Sequence, residues 1–100
     1  MVKHIVLWSL KETAQGRSRE ENARLMKEKL EALRGVIPGL LRIEVGIDFG
    51  KGRESSDIAL YSEFDSRESL LGYQDHPAHL AAVMFIREVR DGRSVVDYEA

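Results

Sequence analysis

Three side chains combine a proton-moving type with a placement that could bring them together: His4 in "MVKHIVLW", and Tyr73 and His79 in "GYQDHPAHLAAVMFI". A neutral imidazole titrates close to working pH and so takes or gives a proton, and a phenol hydrogen-bonds a developing oxyanion. Tyr73 precedes His79 by six residues across Pro77, so its hydroxyl is able to lean over the same space. The plainer alternative for each histidine is a core residue hydrogen-bonded to a carbonyl or a tyrosine. His76, beside the proline, reads as a helix-capping or surface residue. The His76-x-x-His79 spacing suits two nitrogens on one helical face, but no third ligand is evident and Pro77 constrains the turn, so no metal site is expected. The glycines of "FGKGRESS" lack the strand-to-helix setting of a phosphate loop and read as hairpin glycines.

The elements that position these groups follow from hydrophobic periodicity. Residues 2 to 11 read as a strand with Val2, His4, Val6, Trp8 and Leu10 on one face and Ile5 and Leu7 on the other. "TAQGR" reads as a loop, and Ser18 with Glu21 forms a capping box that opens a helix running to about Gly35, with Met26, Leu30 and Leu33 as its buried stripe. "LRIEVGIDF" alternates strictly, placing Leu41, Ile43, Val45, Ile47 and Phe49 on one face. "DIALYSEF" follows as its hairpin partner. Asp65 with Glu68 caps a short helix through about Asp75. Pro77 then restarts a helix near His76, carrying His79, Val83 and Ile86 at i, i+4 and i+7 with Leu80 beside them. "RDGRSVVDYEA" supplies a turn and a last strand.

Strand, helix, strand, strand, broken helix, strand is the plan of an α+β, ferredoxin-like four-stranded antiparallel sheet with helices on one face. His4 and His79 then meet beneath the second helical segment. The uncovered face collects Ile5 and Leu7 with Leu40, Ala59, Tyr61 and Val95, mixed with Arg42, Glu44 and Glu63. An open patch of this kind predicts a homodimer packed sheet on sheet through that face.

Composition narrows the function classes. The 100 residues suffice for one domain, 1–100, and 43% hydrophobic with 32% charged residues describes a globular chain. A formal charge of −2 at pH 7, with basic residues scattered among acidic ones, leaves no phosphate track, so no nucleic-acid partner is expected. The absence of cysteine removes disulfides, thiolate nucleophiles and Cys-based zinc sites. The N-terminal apolar run is too short and interrupted for a signal-peptide core or a membrane span, so a cytoplasmic location without membrane attachment is the default.

"MVKHIVLWSLK", "IPGLLRIEVGIDF", "DIALYSEFDSRESLLGYQDHPAHLAAV" and "VVDYE", four blocks in order over essentially the whole chain, resemble the stress-responsive A/B barrel (Dabb) family. The resemblance implies a ferredoxin-like protomer in a dimeric α/β barrel. Many members have no defined biochemical role, and some are linked to stress responses, which admits a stable, non-catalytic dimer. One branch looks like a plant polyketide cyclase performing an intramolecular aldol condensation without a cofactor. Carried onto matching positions, it implies His79 as base, Tyr73 as the holder of the substrate carbonyl and His4 in an orienting or proton-returning role. The implied walls of a pocket for a small apolar or carbonyl-containing ligand are Trp8, Val83, Met26 and Leu30. Asp57 stands where that cyclase has a further histidine, and Met26 and Leu30 replace its aromatic wall. The superfamily's monooxygenases use an Asn-His-Trp set, and the one asparagine here, Asn22, lies early in the first helix. Some relatives hold a cation on backbone carbonyls; "RGVIPG" offers carbonyls but has no side-chain signature, so no cation is assigned.

Overall fold

Alternating burial along Val2–Leu10 makes this segment a strand, β1, in the computed structural model, which describes all 100 residues. "TAQGR" is not a plain loop. Thr13–Ala14 (β2) and Arg17–Ser18 (β3) pair as a miniature hairpin. Gln15 and Gly16, at φ 57° and 73°, supply the two left-handed residues that a tight turn matched to strand twist requires. The buried Asn22 ties this hairpin to the next helix, its Nδ2 donating to the Ala14 carbonyl at 3.1 Å.

Helix α1 (Arg19–Glu31) starts with the expected capping box: the Glu21 amide donates to Ser18 Oγ at 3.2 Å, and the Ser18 amide donates to the Glu21 carboxylate at 3.1 Å. It ends before Gly35, because from Ala32 on the amides of Leu33 and Arg34 reach back only three residues and tighten the chain into turns. After β4 (Leu40–Ile47) and β5 (Ile58–Phe64) come α2 (Arg67–Asp75) and α3 (Pro77–Val89). The cap of α2 is Ser66 rather than Asp65. Its Oγ accepts from the Ser69 amide, while Asp65 accepts from the Ser69 hydroxyl. His76 caps α3 through Nδ1, which accepts from the Ala78 amide at 3.1 Å, and Pro77 occupies the first helical position, where its missing N–H costs nothing. No turn separates α3 from β6 (Arg90–Glu99); the strand begins at once.

The four long strands form one antiparallel sheet in the order β4-β5-β1-β6, with α1, α2 and α3 on one face. This is the ferredoxin-like fold. Val6, Trp8, Ile43, Leu60 and Phe64 project from the sheet into a core closed by Met26, Leu30, Leu70, Tyr73 and Ile86.

Two irregularities in the sheet reassign faces. The ladder shifts between Leu40 and Arg42, leaving Leu41 as an extra residue, so Leu40 packs against the core instead of joining the open face, and Leu41 is exposed. Ile47 and Phe49 also depart from the expected buried stripe; Phe49 lies past the end of β4 and is 95% exposed. A second shift, near Ser9 and Leu10, leaves Asp91 unpaired and sets the register of β6. Val95 then pairs with inward-facing Val6, and Val96, opposite Ile5, takes the place on the open face expected for Val95. Leu7, Ala59, Tyr61, Val96 and Tyr98 form that face with Lys3, Arg42, Glu44 and Glu63.

Candidate functional site

A cavity of about 310 Å³ opens between the sheet and helices α2 and α3. His4 reaches it from β1, Tyr73 from α2 and His79 from α3, so the three groups separated in the sequence line one space. The Tyr73 ring packs against both imidazoles, edge-on to His4 with centroids 6.0 Å apart and tilted over His79 at 4.0 Å.

His4 is almost fully buried, and its Nδ1 lies 2.5 Å from Asp97 Oδ1 on β6. The carboxylate oxygen accepts here, so Nδ1 donates and Nε2 is left free of this bond. The buried Ser62 hydroxyl donates to the His4 carbonyl at 2.9 Å, fixing the backbone beneath the ring. His79 is half-buried. Its Nδ1 donates to the Gln74 carbonyl over a long 3.4 Å, which likewise leaves Nε2 free. Burial lowers the His79 pKa below the ordinary imidazole value; the Gln74 carbonyl opposes this, and the charges of His4 and Arg93 add to it. His79 is therefore neutral, a base, near neutral pH. Burial pushes the Tyr73 phenol far above its usual value, so it remains an O–H donor. That hydroxyl is buried with no partner, as is the Trp8 indole Nε1. Buried donors without acceptors are costly in a finished core and are expected where a ligand completes them.

Of the expected ligand contacts, Trp8, Val83 and Leu30 line the cavity, whereas Met26 is fully buried in the core and does not. The α1 face turns Met26 toward the sheet, one turn before Leu30. His76 stays at its cap. Asp57, the departure from the cyclase pattern, is spent on the backbone, where Oδ2 accepts from the Leu10 amide at 2.7 Å. No three His, Asp or Glu side chains gather in a metal-holding cluster. The sequence reading missed Asp97, Gln74, Arg87, Arg90 and Arg93. Arg93 and Asp97 alternate on one face of β6 with Val95, a signal that needed the register of β6 against β1 before it could be used.

An open ferredoxin-like sheet with a histidine- and tyrosine-lined cavity under its helices defines the class: a small α+β protein whose site lies between sheet and helices. Residues 2–100 match the profile of the stress responsive A/B barrel domain, and the chain belongs to that family. A dimeric protein of unknown function with a ferredoxin-like fold from Bacteroides fragilis is 40% identical, with a TM-score of 0.84 over 99% of this chain and 95% of that one. A dimeric ferredoxin-like protein of unknown function from Thermobifida fusca is 26% identical, with a TM-score of 0.85, covering 99% of this chain and 90% of that one. The hydroxynitrile lyase of Passiflora edulis, 20% identical with a TM-score of 0.79 over 97% of this chain and 90% of its own, shares the fold. No curated protein matches the chain in sequence. No helix is long and apolar enough to cross a membrane.

Proposed function

We propose that this chain is a homodimer that binds a small carbonyl-containing ligand in the cavity between sheet and helices. The observation that carries the reading is the Tyr73 hydroxyl, buried without a partner on a ring packed against two imidazoles in a cavity of mixed apolar and polar lining. A ligand carbonyl completes that hydroxyl. The volume lies at the low end for small-molecule sites, which suits one ring with a short arm.

A second reading, a cofactor-independent lyase or cyclase, is favoured by the neutral state of His79 beside a phenol that stays protonated. Tyr73 donates to the carbonyl oxygen while His79 Nε2 takes a proton from the adjacent carbon. The C–H electron pair moves into a carbon–carbon double bond, and the enolate oxygen is held by the phenol. The imidazolium then returns its proton to that carbon. Alternatively the carbon bonds a second carbonyl of the same molecule, as in an aldol closure, and the proton goes to the new alkoxide. His4, held by Asp97, orients the reacting chain.

Butyrophenone, an aryl ketone of suitable size, is the probe. It is expected to shift the His4 and His79 imidazole resonances together and leave His76 unmoved. For the enzymatic reading, exchange of its α-protons in heavy water is expected to rise at least tenfold, and to be lost in His79→Ala and Tyr73→Phe while circular dichroism keeps the native spectrum. Resonance shifts without exchange leave a binding protein. Silent imidazoles leave a stable, non-catalytic dimer.

A further inference from the structure

The wall of the cavity is unusual in its charge. The chain carries 17 acidic and 15 basic residues, yet the cavity is lined by Arg87, Arg90 and Arg93 and by no carboxylate. None of these three guanidiniums takes part in the ion pairs of the protein, which join His4 to Asp97, Arg19 to Asp57, Lys27 to Glu31, Arg42 to Glu44 and Arg67 to Glu99. Asp97, the acidic side chain that alternates with Arg93 on β6, is already engaged by His4.

The placement is directional. His4, Trp8 and Tyr73 are buried at the inner end, Arg90 is half-buried, and Arg87 and Arg93 are exposed at the mouth. Arg93 stands directly across from Trp8 in the β1–β6 ladder, so an exposed guanidinium and an unpartnered buried indole N–H share one wall. Arg90 follows at the start of β6, opposite Leu10, and its position depends on the shift in that ladder. Unpaired arginines presenting planar forks beside a low-dielectric cavity are built for a planar anion, and a carboxylate matches the fork with two parallel hydrogen bonds.

Resting on the carbonyl-ligand reading, we propose that the ligand is a keto acid whose carboxylate is held by Arg90 and Arg93 at the mouth while its carbonyl lies against Tyr73. Arg87 adds charge from α3. Trp8 Nε1 donates to a second acceptor along the arm. The ligand is thus an anion with an apolar or aromatic inner end, and a neutral ketone of the same shape enters the same site and binds there more weakly.

Benzoylpropionate and butyrophenone differ only by a carboxylate in place of a terminal methyl, and titrating both against the native dimer by NMR tests the assignment. Benzoylpropionate is expected to bind at least tenfold more tightly, to lose affinity as salt is raised, and to fall to the affinity of butyrophenone in the Arg90→Gln/Arg93→Gln double variant. Butyrophenone itself is expected to bind that variant as it binds the native protein. Equal affinities for the two probes, or an advantage that survives the double variant, overturn the anion assignment and leave the carbonyl site standing. Failure of both probes to perturb His4 and His79 overturns both readings.

Discussion

His79 is the residue whose chemistry depends most on its surroundings. Burial lowers its pKa, and the nearby charges, Arg93 among them, lower it further, so the folded protein binds the imidazole proton less readily than the unfolded chain does. Between the two pKa values the unfolded state holds more protons, and stability rises with pH there. His79 therefore contributes stability that is fully present above the ordinary imidazole value, 6.5, and is lost as pH falls from there through its lowered folded value. An imidazole NMR titration is expected to place the His79 midpoint below 6.5. In Arg93→Gln the midpoint moves up, because one positive neighbour is gone, but stays below the ordinary value because burial remains. A midpoint at or above 6.5 in the native protein contradicts the neutral base. His4 and His79 were legible in the sequence because each interrupts an apolar stripe whose period defines its face, and Tyr73 because it stands six residues before His79 across Pro77. Asp97 and the arginines were not, since their relevance depends on which residue of β6 opposes Trp8. That is decided by one unpaired residue, Asp91, which carries no local mark.

Among the elements, the turn "IPGLL" does the positioning for α2 and hence for Tyr73. Gly39 has φ 80°, and its carbonyl accepts from the Asp65 amide at 3.0 Å, which locks the entry to β4 against the end of β5. A Cβ at Gly39 overlaps the Ser69 side chain, within the Asp65, Ser66 and Ser69 cluster that starts α2. Gly35 has nearly the same φ, 79°, but a Cβ there meets nothing. The two glycines separate backbone strain from crowding. Gly35→Ala is expected to cost about 1–2 kcal/mol from the left-handed backbone alone. Gly39→Ala carries that strain and, in addition, roughly 1–3 kcal/mol of overpacking. Urea unfolding of both variants measures the difference; equal losses mean that the α2 cap yields freely and does not hold Tyr73 in place. The order of elements was readable because the periods are long and the Ser18–Glu21 box and Pro77 mark helix starts. The small hairpin at Thr13–Ser18 escaped because two-residue strands leave no period to read, although the turn residues Gln15 and Gly16 were visible.

At the scale of the whole molecule, the question is what covers the second face of the sheet. Leu7, Val96 and Tyr98 are each about 40–50% exposed in one protomer, and with Ile5 and Ala59 they make an apolar centre on an otherwise solvated sheet. The charges around them are already matched within the protomer. Arg42 lies 3.5 Å from Glu44, Tyr61 donates to Glu63 at 2.5 Å, and Lys3 and Arg42 flank the Tyr61 ring at 5.9 and 5.8 Å. Paired charges lose less on burial than isolated ones, so a second copy is able to cover this face without stranding an ion. The similar proteins from Bacteroides fragilis and Thermobifida fusca are dimeric, which supports a dimer here. Leu7 on the central strand β1 is the position to test, because in a two-fold stack a residue near the axis faces its own copy. Leu7→Glu places two carboxylates together in a desolvated interface and is expected to convert a dimer at micromolar concentration into a monomer by analytical ultracentrifugation, with the fold retained. Leu71→Glu, at a still more exposed leucine on α2 in the helical layer, is expected to leave the dimer intact. A native chain that sediments as a monomer, or a Leu7→Glu variant that remains dimeric, excludes the open sheet face as the interface. Dissociation by Leu71→Glu instead moves the contact to the helical layer.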